Sequence, residues 1–289
     1  MRNRQTEAMR IVQISDTHLG HRGGIGNRNF EKLATFINDQ LRPDLVVHTG
    51  DVSILDPDSG ADRQAARELL GLITAPLRVL PGNHDVGEPG DRPWAGFSTT
   101  SDRVAAFTGV FGPDHWAELL DGYAVIGFNS EILATGLPEE QAQWDWLGTL
   151  AGQAAGRPAL VFCHKALWPP ASGSADVALS IPDSVLERLL RTLDPLDIRV
   201  YGSGHLHRFE VGRHGDALCV CAPSTAFVTR TRDDLAGPGL RQLGVVEYRC
   251  GPGDVEVFFR SVPTLTEGGA FASEHFLATA AEIGVNVAP

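Results

Sequence analysis

Apolar positions along the chain form short runs that alternate with stretches where they recur at helical spacing. Residues 10–15 (RIVQIS) read as a buried strand. Phe30, Leu33, Phe36, Ile37 and Leu41 then repeat every three or four positions, which predicts a helix capped by Asn27 or Asn29. Residues 44–49 (DLVVHT) predict a second strand. A helix follows near 63–73, with Asp62 as its cap and Leu69, Leu70 and Ile73 on its apolar face. Further strands are expected at 77–80, 123–128, 159–163 and 198–201, with helices near 139–150 and 184–193 between the later ones. From Ala217 the pattern changes: strands at 217–222, 243–248 and 255–259 follow without intervening helices, and 249–254 (RCGPGD) is a hairpin signal. Alternating strands and helices followed by a β-rich end predict an α/β protein, two sheets packed face to face with helices outside. No linker divides it. We expect a single domain over residues 1–289, with a motif-bearing part at 10–210, a β-rich part at 215–262 and a tail at 263–289.

Polar residues of metal-ligand type gather where these strands end. The first strand runs into Asp16-Thr17-His18, the second into Gly50-Asp51 and the third into Gly82-Asn83-His84-Asp85. The fifth runs into His164 and the sixth into Gly204-His205-Leu206-His207. The fourth ends at Phe128-Asn129-Ser130 and delivers nothing obvious. Ligands of α/β sheets bind just beyond the carboxyl ends of strands, so five strands point their side chains at one crevice. Residues i and i+2 of an extended chain face the same way, which lets Asp16 with His18, and His205 with His207, each present two donors to one place. The glycines before Asp51, Asn83 and His205 would let the backbone turn sharply and approach an ion. The donor set mixes imidazole, carboxylate and one amide without a thiolate, which suits Mn, Fe, Co, Ni or Zn.

Each motif alone is weak, but DxH, GD, GNHD, H and GHxH in that order at strand ends form a specific set. The set resembles the calcineurin-like metallophosphoesterase superfamily over at least residues 11–207. SDTHLG at 15–20, LPGNHD at 80–85 and GSGHLH at 202–207 are most similar to the branch of class III cyclic-nucleotide phosphodiesterases and glycerophosphodiesterases. Glu140-Gln141 followed by Trp146-Leu147 looks like a helix of that branch. The resemblance implies a four-layer αββα sandwich of two mixed β-sheets flanked by helices, with two transition-metal ions (Fe, Mn or Zn) as cofactors. It implies one ion on Asp16, His18, Asp51 and His207, and a second on Asp51, Asn83, His164 and His205, with Asp51 bridging. It further implies that His84 faces the substrate as a catalytic residue and that Asp85 holds its ring. Two departures stand out. Cys163-His164-Lys165 replaces the frequent His-His pair, and neither GDxxDR nor GNHE of the protein Ser/Thr phosphatases is present. A protein phosphatase is therefore disfavoured.

On this reading two divalent ions exceed the charge of Asp16, Asp51 and one hydroxide by about one unit, so a phosphodiester monoanion is attracted. Hydroxide generated by the metals attacks phosphorus, and His84 protonates the leaving alkoxide. The expected substrate is a small phosphodiester of the cyclic-nucleotide or glycerophosphodiester type. A phosphomonoesterase, a nuclease or a non-catalytic binding protein on the same scaffold are the alternatives.

Composition narrows this list. The chain has 289 residues, 43% of them apolar, and a net charge of −12. That core fraction is ordinary, and the acidic balance disfavours nucleic acid as a partner. The N-terminus lacks an apolar segment of signal-peptide type, and no run approaches the ~20 residues of a membrane span. The four cysteines form no CxxC pair, and Cys163, Cys219 and Cys221 lie in apolar stretches, as expected of reduced core residues. A cytoplasmic protein is expected, and a homo-oligomer is compatible with the sequence. His48 reads as a core histidine. His21, Arg22, Asn27, Arg28 and Asn29 form a Gly-rich loop that either touches substrate or is solvated. Trp94 and Trp168 are candidates for stacking or packing. His115, His214 and His275 have no assigned role.

Overall fold

A computed structural model describes residues 8–90, 96–167, 180–228, 239–268 and 274–284. In chain order these carry β1 (Met9–Ile14), α1 (Ile25–Phe36), a π-helical turn (Ile37–Leu41), β2 (Leu45–Thr49) and α2 (Gly60–Leu70). Next come β3 (Leu77–Leu80), α3 (Asn83–Val86), α4 (Ser101–Phe111), β4 (Trp116–Leu120) and β5 (Tyr123–Gly127). A 3-10 turn (Ser130–Ile132), α5 (Pro138–Gln153), β6 (Pro158–Phe162), α6 (Asp183–Leu193) and β7 (Asp197–Ser203) follow. The last elements are β8 (Glu210–His214), β9 (Ala217–Cys221), β10 (Gly244–Cys250), β11 (Val255–Ser261) and α7 (Glu274–Glu282).

The strands make two mixed sheets, ordered β11-β10-β1-β2-β3 and β4-β5-β6-β7-β9-β8. The pairs β1–β2, β2–β3, β5–β6, β6–β7 and β7–β9 are parallel, and β1–β10, β10–β11, β4–β5 and β8–β9 are antiparallel. Strands of parallel pairs are buried on both faces, which is why their sequences are continuous apolar runs. Successive side chains then go to opposite sides. Met9 and Ile11 of β1 join Leu160, Phe162 and Val200 in the layer between the sheets. Val12 and Ile14 pack outward against Phe30, Leu33, Ala66 and Phe107 of the helices. Across the molecule Ile126 and Val161 meet Trp144, Leu147 and Leu189 of α5 and α6. Three apolar layers thus separate four layers of structure, the αββα sandwich. Each fully buried Val, Ile or Leu contributes roughly 1.5–3 kcal/mol, so all three layers weigh heavily in stability.

Several local expectations change. The β-rich end divides between the sheets: β8 and β9 extend the second, while β10 and β11 extend the first. The helix α1 starts at Ile25 with Gly24 at the cap position, and Asn27 and Asn29 lie inside it instead of capping it. Buried Asn29 donates to the carbonyls of Ala226 and Thr266 at 3.0 Å. Ser59, not Asp62, caps α2, accepting from the Asp62 amide at 3.2 Å. That cap is worth about 1 kcal/mol. It leaves the buried Asp62 carboxylate to take His21 Nδ1 at 2.7 Å. The expected elements do not include α3, α4, β4, β8 or α7, which lies in the expected tail. The edge strand β8 is mostly exposed and polar, so it has no apolar signature. The strand β4 has only one buried residue, Trp116. For α4 the signal was present in Val104, Phe107 and Phe111.

Candidate metal centre

The parallel strands of both sheets end on the same side, and their loops lock together through backbone bonds. Asp16 N donates to Gly50 O at 3.0 Å, His18 N to Asp51 O at 3.1 Å, and Gly204 N to His164 O at 2.9 Å. His48 ties two of these loops from below. Its Nδ1 accepts from Gly50 N at 3.2 Å and its Nε2 meets Thr17 Oγ1 at 2.9 Å. Burial lowers its pKa to about 3, so it is the neutral core histidine expected.

Donor atoms converge in two groups. Asp16, His18, Asp51 and His207 form one, with one ligand atom from each within 4.8 Å of the others. Asp51, His164 and His205 form the second, and Asp51 belongs to both. Asn83 joins the second group, its Oδ1 3.1 Å from His164 Nε2. Within the groups the distances are short: His18 Nε2 to His207 Nε2 3.2 Å, and His164 Nε2 to His205 Nδ1 3.1 Å.

These contacts test whether the residues fit a cation. His18 Nδ1 lies 3.2 Å from Ile54 O, His207 Nδ1 3.2 Å from Phe227 O, and His164 Nδ1 2.7 Å from Thr49 O. A carbonyl only accepts, so each Nδ1 carries a proton and each Nε2 is the ring atom turned into the donor groups. With the rings neutral, the Nε2 lone pairs of His18 and His207 would face each other at 3.2 Å, a repulsion that a cation between them relieves. The buried Asp16 Oδ1 has His207 Nε2 as its neighbour at 3.2 Å, inside the first group. The two carboxylates demand positive charge as well. Burial opposes their ionisation, yet His207 holds Asp16, and His164 holds Asp51, below the ordinary carboxylate value. His164 responds by rising to about 10, Asp51 outweighing the effect of burial. Divalent cations would supply the same charge and free those imidazoles of their protons. The residues therefore fit a pair of metal ions.

The backbone stores strain here. Of the eight non-glycine residues with positive φ among the described residues, five are Asp16 (53°), His18 (44°), Asp51 (53°), His205 (69°) and His207 (50°). Such conformations cost of order 1–3 kcal/mol each and persist only where surroundings enforce them. This corrects the i, i+2 argument, because these residues are left-handed and not extended. Asp16 and His18 do share a group, whereas His205 and His207 divide between the two. The glycines also act differently from the expectation. Gly50 has φ +93°, but Gly82 and Gly204 are needed for space. A Cβ on Gly82 would sit 2.2 Å from Asp51 Oδ1, and one on Gly204 1.9 Å from Ser15 Oγ.

His84 stands beside both groups, its Nε2 3.8 Å from Asp51 Oδ2 and its ring edge-on to His18 at 4.9 Å. Its Nδ1 faces Ile54 O at 2.9 Å. Asp85 does not hold that ring. Its buried carboxylate accepts from the amides of Val52 (3.0 Å), Ser53 (2.8 Å) and Gly82 (2.9 Å), clasping the loop after β2 to the loop after β3. The fourth predicted strand, here β5, does deliver something. Glu131 lies just beyond it, fully buried, with Oε2 3.4 Å from Nζ of buried Lys165, the neighbour of His164. The sequence signal was Lys165 itself, a cation directly after a buried strand. In the glycine-rich loop, His21 is held by Asp62 and Asn27 Oδ1 accepts from Gly20 N at 3.1 Å. His115 pairs with Asp114 at 2.8 Å. Phe227 stacks on His18 at 4.7 Å and walls the first group, a contact no sequence motif announced. Trp94 and Trp168 lie outside the described residues.

The fold and these paired donor groups define a metal-dependent phosphoesterase. The calcineurin-like phosphoesterase family matches residues 9–209, and the chain belongs to it. It is 29% identical to the 3',5'-cyclic adenosine monophosphate phosphodiesterase CpdA of Pseudomonas aeruginosa, over 81% of this chain and 84% of that one. It is 24% identical to the glycerophosphodiester phosphodiesterase GpdQ of Enterobacter lignolyticus, over 82% and 88% respectively. Among solved structures, a dimetal phosphatase from Danio rerio superposes with TM-score 0.59 at 12% identity, over 89% of this chain and 97% of that one. GAP50, the anchor in the inner membrane complex of Plasmodium, reaches 0.64 at 13% identity over 98% of both. These two likenesses show the fold alone.

Proposed function

We propose that the chain hydrolyses a small phosphodiester of the cyclic-nucleotide or glycerophosphodiester type, with His84 as the proton donor. The observation that carries this reading is Asp51 shared between two donor groups, with His84 Nε2 3.8 Å from its Oδ2. The names of the two similar curated proteins support the diester. Asp16, His18, Asp51 and His207 would hold one ion, and Asp51, Asn83, His164 and His205 the other. Two divalent ions there would offset substrate charge and activate water as the nucleophile. The second carboxylate makes the first group the harder one, suited to iron, and the amide-bearing second group suits Mn or Zn. His84 then acts on the leaving group. Ile54 O fixes the proton on Nδ1, so the transferable proton of the imidazolium is the one on Nε2, the atom on the Asp51 side. Protonating a poor alkoxide leaving group is worth about 10²–10⁴-fold.

The net charge of −12 supports a small ester over nucleic acid. All four cysteines are free thiols, which fits the cytoplasm. No described helix is long and apolar enough to cross a membrane. The test is hydrolysis of bis-p-nitrophenyl phosphate against p-nitrophenyl phosphate with Mn added, followed by a panel of 3',5'- and 2',3'-cyclic nucleotides and glycerophosphodiesters. The diester should win in kcat/KM. A clear monoester preference moves the chain to phosphomonoesterase, and no hydrolysis of either overturns the reading.

A further inference from the structure

We infer that the C-terminal helix α7 is a working part of the centre, acting as a positioning element for His84 through the Ile54 carbonyl. The inference rests on the reading of His84 as proton donor.

One carbonyl oxygen serves two histidines. Ile54 O lies 3.2 Å from Nδ1 of His18, a member of the first donor group, and 2.9 Å from Nδ1 of His84. The position of this single atom therefore sets both rings and fixes both tautomers. Ile54 belongs to a loop outside any regular element, so no strand or helix hydrogen bonding holds its carbonyl in place. The residues before it are tied to the loop after β1 by the Leu19–Ser53 bridge, with Leu19 N on Val52 O at 2.7 Å. Two further clamps act on Ile54 and its neighbours. From inside, the Asp85 carboxylate takes the amides of Val52 and Ser53. From outside, the Ile54 and Leu55 side chains, 2% and 1% exposed, bury themselves against Ala280 of α7, which is 0% exposed, with Ile283 beside them. An ion pair between Arg22, in the loop after β1, and Glu282 of α7 fastens the helix to the same side of the molecule.

This small cluster is separate from the three large cores, so it has little to do with holding the sheets together. Its apolar contacts are few, so losing the one with α7 would leave the Ile54–Leu55 end of the loop, beyond the Leu19–Ser53 bridge, free to shift. A displacement of the carbonyl by about 1 Å is enough to cost on the order of 10²-fold in a positioned step. The loss would fall on proton donation and not on the donor groups, because the interlocked loops also fix Asp16, His18 and Asp51, Phe227 stacks on the His18 ring, and the Phe227 carbonyl holds His207.

The test is the full-length Ala280→Asp variant, which places a carboxylate in the apolar contact, with Ala281→Asp on the exposed side of the same helix as control. Three quantities are read: metal content per chain, kcat on an alkyl phosphodiester against bis-p-nitrophenyl phosphate, and the Nδ1–H resonances of 15N-histidine-labelled protein. Ala280→Asp should keep the metal content of the parent and lose about tenfold or more in kcat on the alkyl diester. It should lose less than threefold on the p-nitrophenyl diester, and the His84 Nδ1–H signal should shift or broaden. Ala281→Asp should match the parent throughout. If Ala280→Asp exposes the α7 amides to hydrogen exchange but leaves the His84 resonance and both rates unchanged, the inference is overturned. Equal loss on both substrates with metal depletion also overturns it, since α7 would then hold the donor groups. Should Ala280→Asp not fold, Ile283→Ala tests the same contact with the same outcomes, expected at about twofold to fivefold. The histidine resonance needs no substrate, so a parent without phosphodiesterase activity defeats the functional reading while leaving the positioning claim separately measurable.

Discussion

The two donor groups share Asp51 but are built in different surroundings. The first places two carboxylates and two imidazoles against an aromatic wall, with Phe227 stacked on His18 and tilted against His207 at 5.0 Å. The second has one carboxylate, an amide and two imidazoles, and behind it lies the buried Lys165–Glu131 pair. Charge is thus concentrated in the first group, while the second lies beside a buried ion pair whose lysine is the neighbour of His164 in the chain. Two sites that share a ligand can still differ in what they hold, and in what disrupts them.

The largest break in this comparison is Asp51→Ala, which should abolish the contrast. Both ions should be lost, with activity falling on the order of 10³-fold or more, since metal chemistry supplies several kcal/mol of the barrier lowering. Asp16→Ala should instead keep one ion per chain, and elemental analysis after reconstitution with Mn distinguishes them. Equal metal loss in the two variants contradicts the sharing of Asp51.

His84→Ala comes next. It should retain the metal content of the parent and lose about 10²–10⁴-fold on diesters with alkoxide leaving groups, but much less on those releasing p-nitrophenolate. Collapse of the metal content would make His84 a ligand, and equal loss on both substrates would make it a binding group.

The pair behind the second group sharpens the contrast further. Lys165→Met leaves Glu131 buried and unpaired, which should cost roughly 3–5 kcal/mol of stability. The ion at His164 and His205 should leave first when the variant is titrated with a chelator. Lys165→Met combined with Glu131→Gln should recover most of that stability in denaturant melts. If the double variant is no better than the single, the pair is not coupled.

The smallest effect lies away from both groups. Glu247 on β10 is buried and meets Arg10 at 3.0 Å and Arg249 at 2.9 Å, with Arg260 bonded to it as well. Burial alone would raise its carboxyl, but Arg249, Arg260 and Arg10 hold it below the ordinary glutamate value. A depressed pKa means that its contribution is complete above the unfolded value near 4.3 and disappears as pH falls through the folded one. Glu247→Gln should therefore cost roughly 1–2 kcal/mol at pH 7 and converge on the parent in acid, with metal content untouched. A penalty that persists below pH 3 would mean the arginines act by packing alone.

Much of the molecule follows from local order in the chain. Parallel-sheet strands are apolar on both faces, so β1, β2, β3, β6 and β7 are visible as runs, and the donors that follow each run are visible as motifs. The strand β8 carries no such signature because an exposed edge need not be apolar. Asp85 illustrates a different limit: adjacency to His84 suggested a partner, yet three amides from two loops claim its carboxylate. Glu131 escaped notice because a buried acid is recognisable only once its cation is placed beside it.

By itself the sequence determined the two-sheet α/β class and the order of donor residues at strand ends, because periodicity and turn chemistry act over a few residues. Only the tertiary structure decided which backbone conformation turns His205 and His207 to different groups, why Gly82 and Gly204 must be glycine, and which atom orients His84. Those outcomes depend on left-handed backbone and on contacts between residues far apart in the chain. His84 and Ile54 are 30 positions apart, and His18 and His207 are 189. No local pattern encodes such a distance, because only packing of the two sheets brings the loops together.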